Sequence, residues 1–186
     1  ALAALRDGSQ WWRALRLLLE MTRRRSQPDT VCFNITMGAC GEAARWEHAL
    51  LLLDAQPRCG LQPSAVSYGT AAAALRRGHR WAQVVSLLGQ ARKQSGSLSL
   101  EVYNAALATF EAAHVWVLAL GLLEDMQLEG PSPDAISWNA TLGACARAGE
   151  WAVALLLLGV ATAPNLQAYH RVLMGLRHGG SWTLAL

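Results

Sequence analysis

"PDAISWNATLGACARAGEW", Pro133 to Trp151, is the stretch whose reading decides the fold. Trp138, Leu142 and Cys145 fall at i, i+4 and i+7, the spacing of one face of an α-helix. Pro133 and Asp134 suit a helix start, and the pattern breaks at "RAGE", residues 147–150, before Trp151 opens a second apolar run. Two short helices joined by a turn are expected. One residue stands out: Asn139 puts a carboxamide on an otherwise apolar face, where helix propensity gives no reason for it.

The same arrangement recurs along the chain. Trp11, Trp46, Trp81, Trp116 and Trp151 stand 35 residues apart, and Trp182 follows after 31. Phe33, Tyr68, Tyr103 and Trp138 keep the 35-residue interval, and Tyr169 again follows after 31. Three residues after each Trp come Ala14, Ala49, Val84, Ala119, Ala154 and Ala185, and next to them Leu15, Leu50, Val85, Leu120, Leu155 and Leu186. Several columns sharing one register mark an internal repeat. Helices of about 12 residues are marginal alone in water, so each pair must gain stability by stacking on its neighbours. The expected fold is all-α, a right-handed α-solenoid of stacked two-helix repeats of 35 residues.

Complete repeats are expected at 30–64, 65–99 and 100–134, with a shorter one at 135–165. Residues 1–29 read as the C-terminal part of a truncated repeat and 166–186 as the N-terminal part of another, all in one continuous solenoid domain. No polar capping helix is recognisable at either end, so a piece of a longer array is expected.

Composition agrees. The 186 residues are 53% hydrophobic and 16% charged, which excludes a disordered chain, and Leu and Ala outweigh the strand formers. A net charge of +3 permits a nucleic-acid partner. Cys32, Cys40, Cys59 and Cys145 form no CxxC pair, and no His cluster has ligand spacing, so buried thiols in a reducing compartment are expected, with no metal, disulfide framework or cofactor. The apolar runs Leu50–Leu53 and Leu155–Leu158 fall short of the ~20 residues a membrane span needs, and no targeting peptide is recognisable after Ala1. Paired carboxylates, a deaminase H-x-E with a distant C-x-x-C, and a nucleophile constellation are all missing, so no enzyme is expected within these residues. The Trp and Leu columns read as core, His79 and His114 as incidental turn residues, and Arg23, Arg24 and Arg25 as a solvated helix end.

The unit "P-D-x-x-x-[YFW]-N … A-x-x-G-x-W-x-x-A-L-x-L-L" resembles the pentatricopeptide repeat family. "PDTVCFNITMGACGEAARWEHALLLL", residues 28–53, and "PDAISWNATLGACARAGEWAVALLLL", residues 133–158, carry the resemblance most fully, and it extends over essentially the whole chain. Trp in place of the family's small aliphatic residue is a departure compatible with a core position.

The resemblance implies a module that binds single-stranded RNA, one nucleotide per repeat, with first helices facing the RNA. It implies that two side chains read each base: the residue after the aromatic, here Asn34, Gly69, Asn104, Asn139 and His170, and the last of the repeat, here Asp29, Ser64, Ser99, Asp134 and Asn165. A carboxamide offers a donor and an acceptor to a Watson–Crick edge, and the second residue favours one edge by adding to either. By the family's pairing, Asn104 with Asp134 favours uridine, Asn34 with Ser64 cytidine, and Asn139 with Asn165 a pyrimidine. Gly69 with Ser99 discriminates little.

Val31, Val66 and Ile136 would wedge between bases, whereas Glu101 and Gln167 depart from that pattern. Arg76, Arg77, Arg147 and Arg177, near the ends of first helices, would meet phosphates, while Glu42 and Glu111 weaken that track. Also implied are a role in organellar RNA processing, stability, editing or translation, a mitochondrial or chloroplast location, and no membrane or small-molecule partner. The rival is a protein-binding scaffold of tetratricopeptide type, whose period is 34 and whose pattern of small and large residues differs.

Overall fold

The structure, a computed structural model, describes residues 10–24, 26–96, 98–160 and 165–178, leaving aside the side chains of 95 and 176–178. Arg25, Trp182, Ala185 and Leu186, and the side chain of Arg177, lie outside the described residues. Among those described, regular structure is helical throughout: α1 (Trp11–Arg23), α2 (Thr30–Glu42), α3 (Trp46–Arg58), α4 (Ala65–Arg77), α5 (Trp81–Ser95), α6 (Leu100–Ala112), α7 (Trp116–Leu128), α8 (Ala135–Ala148), α9 (Trp151–Val160) and α10 (Leu166–His178). The chain divides into two compact units, Ala1–Leu98 and Ser99–Leu186. In the first, α2 packs on α4, with α1 and α3 lodged against them and α5 against α4. In the second, α6, α8 and α10 lie side by side, α7 packs on α6 and α8, and α9 on α8 and α10.

Local chemistry sets where each helix starts and stops. Asp29 caps α2 by accepting from Cys32 N at 2.8 Å, and Asp134 caps α8 by accepting from Ser137 N at 2.8 Å. Ser64 and Ser67 close a reciprocal capping box at α4, as Asp134 and Ser137 do at α8. Asn165 accepts from Ala168 N at 2.9 Å at the start of α10.

The first helices α2, α4, α6 and α8 end in the same turn. Arg45 N, Arg80 N, Val115 N and Glu150 N reach back to the carbonyls of Cys40, Leu75, Phe110 and Cys145 at 2.8 to 3.0 Å, the six-to-one bond of a Schellman turn. That turn needs one left-handed residue, and Ala44, His79, His114 and Gly149 fill it with φ of 55°, 53°, 60° and 83°. Three of the four carry a side chain where glycine is the unstrained choice, at a cost of about 1 kcal/mol each. His79 and His114 therefore occupy a defined backbone position.

The small-residue column is the centre of the core: Ala14, Ala49, Val84, Ala119 and Ala154 are each fully buried. At two crossings of neighbouring first helices the approach is close enough that one partner lacks a Cβ. A Cβ on Gly41 of α2 would stand 3.0 Å from Ala74 Cβ of α4, and one on Gly175 of α10 would stand 2.7 Å from Ala146 Cβ of α8.

Three expectations about the core need correction. The column Leu15, Leu50, Val85, Leu120 and Leu155 is half-buried or exposed; the enclosed leucines lie about a turn further on, at Leu18, Leu53, Leu88 and Leu123. The described tryptophans of the column are not buried: Trp11, Trp46, Trp116 and Trp151 are half-buried and Trp81 is exposed. Trp46 is half-buried, with the Arg80 guanidinium 4.8 Å from its ring centroid, and Arg45 lies 5.4 Å from that of Trp11. Trp116 and Trp151 cover the cluster of Leu142, Cys145, Ala154, Ala168 and Val172 from its margin. Lastly, only Cys40 and Cys145 are buried, and burial pushes both thiols up to about 11, whereas Cys59 is exposed. All four cysteines are free.

Candidate nucleic-acid interface

The first helices bring the asparagine column to matched positions, and a different partner holds each amide. On α2, Asn34 Oδ1 accepts from Gln56 Nε2 of α3 at 3.3 Å. Gln56 is fully buried, and its Nε2 also lies 3.7 Å from Met37 Sδ. On α6, Asn104 Nδ2 donates towards both carboxylate oxygens of Asp134 at 3.3 Å, while Ser137 Oγ lies 2.7 Å from Asn104 Oδ1. On α8, Asn139 is buried and its Nδ2 faces Gln167 Oε1 at 3.4 Å. Its expected partner, Asn165, spends its side-chain oxygen on the cap of α10 instead.

The structure therefore joins the two columns directly at Asn104 and Asp134. Partial burial pushes the Asp134 carboxyl up, but hydrogen bonds from the Ser137 N–H, the Ser137 hydroxyl and the Asn104 amide outweigh it, leaving the group below its ordinary value of 3.8. Near neutral pH Asp134 is an acceptor only. Asp29 is also held low, by hydrogen bonding from Cys32, side chain first and backbone second. Ser64 is turned towards Ser67, and Gly69 offers no side chain on α4. Ser99 stands at the cap of α6 without a side-chain capping bond.

Val31, Val66 and Ile136 are 59%, 65% and 60% exposed in the first turns of their helices. Each lies three residues before the asparagine column and so shares its face. Glu101, at the same position of α6, is exposed, and hydrogen bonding to its own backbone N–H holds its carboxyl below the usual range.

The arginines are less free than their positions implied. Arg77 pairs with Glu42 at 2.6 Å, and Arg147 lies 3.8 Å from Glu111 Oε1. Glu111, itself nearly buried, pairs more closely with Arg171, from α6 across α8 to α10. Gly143 makes the crossing possible, since its missing Cβ would collide with both partners. These groups and His170 line a cavity of about 420 Å³. Arg76 is exposed at the end of α4. Sequence reasoning missed Gln56, Ser137 and Arg171. Gln56 had a signal, being the polar member of a column it shares with Met21, Ala91 and Met126, the last two of them buried.

No family model matches the sequence, and no curated protein matches it. Among solved structures, the chain is similar to the pentatricopeptide repeat protein PPR10 from maize, with 27% identity over 99% of this chain and 27% of that one, at a TM-score of 0.74. It is also similar to PPR10 in complex with an 18-nt psaJ RNA element, and to a triple cysteine-to-serine variant in the same complex. Each shows 25% identity over 91% of this chain and 25% of that one, at a TM-score of 0.80. The chain spans about a quarter of the length of these structures. Built from helix pairs whose columns recur every 35 residues, the chain is similar along most of its length to a stretch of pentatricopeptide repeats.

Proposed function

We propose that this chain binds single-stranded RNA sequence-specifically, one nucleotide per repeat, through the face its first helices present. The observation that carries this reading is the pairing of Asn104 with Asp134: a carboxamide and an ionised carboxylate set side by side at the seam of two first helices. Uridine offers an N3–H between two carbonyls, which suits an amide beside an acceptor-only group; cytidine offers a lone pair at N3, which the carboxylate repels. The structural likeness to a protein solved with an RNA element supports the same reading.

The exposed Val31, Val66 and Ile136 serve as the wedges between bases, and Arg76, Arg77, Arg147 and Arg177 supply phosphate contacts, with Asn34, Asn139 and His170 reading further bases. Catalysis has no part in the reading. Among the described residues no group of three or more His, Cys, Asp or Glu could hold a metal, and no helix is long and apolar enough to cross a membrane. The role that accompanies this reading is in organellar RNA metabolism, in mitochondrion or chloroplast, and the family resemblance supports it.

The test is RNA binding by this chain with oligonucleotides varied at one base. Asn104→Ala combined with Asp134→Ala should abolish the preference for uridine over cytidine at one position while leaving the others unchanged. An unaltered preference in that double variant would sink the assignment of this pair. Binding to no RNA at all, with capture of a protein partner instead, would favour a scaffold.

A further inference from the structure

We infer that Ser137 is a third determinant of base preference in the Asn104–Asp134 repeat, acting as a positioning residue although it belongs to the following repeat. The inference rests on the RNA-binding reading and adds a residue to it. Its basis is a proton count. Ser137 Oγ is within reach of Asn104 Oδ1 at 2.7 Å and of Asp134 Oδ1 at 2.9 Å, but it has one proton to give. Ser137 is fully enclosed and its oxygen also accepts from Asp134 N at 3.3 Å, so no solvent molecule competes for that choice.

The carboxylate resolves it. Asp134 has no proton to offer, so the amide group facing it must be Nδ2; turned the other way, two acceptors would confront each other 3.3 Å apart. With Nδ2 fixed there, Oδ1 faces Ser137 and needs the hydroxyl proton, whereas Asp134 Oδ1 already accepts from Ser137 N at 2.8 Å. The hydroxyl therefore donates to Asn104. The amide is gripped at both ends, and what remains is one N–H and one lone pair with a fixed orientation. That leftover edge is what a base meets.

Without the hydroxyl, the amide is held only by its two 3.3 Å contacts to Asp134 and can swing about its last torsion, so the edge it presents to a base loses its fixed direction. The first unit provides a control. Ser67 occupies the same column, also fully enclosed, but its hydroxyl is committed to Ser64, 3.1 Å from Ser64 N and 3.3 Å from Ser64 Oγ, and meets no amide.

The experiment measures, on the whole chain, the ratio of Kd values for two oligonucleotides that carry uridine or cytidine opposite the Asn104 repeat. Ser137→Ala should shrink that ratio about fivefold, as expected for one lost hydrogen bond. Ser67→Ala removes the same hydroxyl from the same capping position, so it should cost similar stability and leave this ratio intact. If Ser137→Ala does not fold, Ser137→Cys keeps the shape with a weak donor and must also narrow the ratio. A ratio unchanged in whichever variant folds, or narrowed equally by Ser67→Ala, overturns the role of Ser137. A wild-type chain that binds neither oligonucleotide defeats the RNA reading itself, an outcome distinct from either.

Discussion

Asn34 in the first unit and Asn104 in the second occupy the same column of the repeat, yet they are held from opposite sides. Gln56, from the second helix of the same repeat, engages the oxygen of Asn34 rather than its amide N–H groups. Asp134, the last residue of the same repeat, and Ser137, from the next one, grip both ends of Asn104. Two asparagines that share the first letter of the pairing thus offer different atoms to a base. Part of the difference comes from Gln56 and Ser137, which lie outside the two base-reading columns, so the surroundings of each amide become part of its specificity.

The two units can be set against each other by experiment, and the largest effect should come from their crossing points. Gly175→Ala places a Cβ 2.7 Å from Ala146 Cβ and 2.9 Å from its Cα, where the backbone has nowhere to go. It should cost about 2 kcal/mol in urea melts. Gly41→Ala meets Ala74 Cβ at 3.0 Å, a gentler overlap, and should cost about 1 kcal/mol. Equal losses would mean that the two crossings are not packed differently.

The next effect is on binding. Glu111 neutralises Arg147 and Arg171 from a nearly buried position, whereas Glu42 pairs with Arg77 where both side chains are more than a third exposed. Glu111→Gln should free two cations, tighten RNA binding about tenfold at low salt and steepen the salt dependence by about one to two phosphates. Glu42→Gln, acting on a solvated pair, should change affinity much less. The reverse order, in titrations from low to moderate salt, would remove the phosphate role from the second unit.

The smallest effect concerns the turns. His79→Gly and His114→Gly each relieve a left-handed residue, and the relief is partly offset by the greater entropy of glycine in the unfolded chain. A gain of about 0.5 kcal/mol is expected in both units, read from thermal melts. A loss at either would show that the imidazole makes a contact worth more than the strain.

Much of this molecule was legible in its sequence because a 35-residue spacing turns weak local signals into columns. The helix pairs, the turn at Ala44, His79, His114 and Gly149, the fully buried Ala column and the cap residues all follow from that register. What the register hides is anything that varies from one repeat to the next. Ser137 shares its column with Cys32, Ser67, Val102 and Ala168, so nothing marks it as an amide partner. The tryptophans illustrate another limit. A recurring large apolar residue reads as core, yet Trp46 needs only one face packed and leaves the other to Arg80, a detail carried by a cation 34 residues away. The expected Arg147 contact was compromised in the same way, since an opposing carboxylate 36 residues earlier shares its space.

The pair of Glu111 with Arg171 joins residues 60 apart and skips over α8 through the gap left by Gly143. In a stacked-repeat protein, free energy is ordinarily a sum over single repeats and nearest neighbours, so an end can fray while the rest stays folded. A bond between α6 and α10 is a next-nearest-neighbour coupling. It ties the opening of α10 to that of a helix two repeats away and makes the second unit melt more as a block than the nearest-neighbour sum would allow.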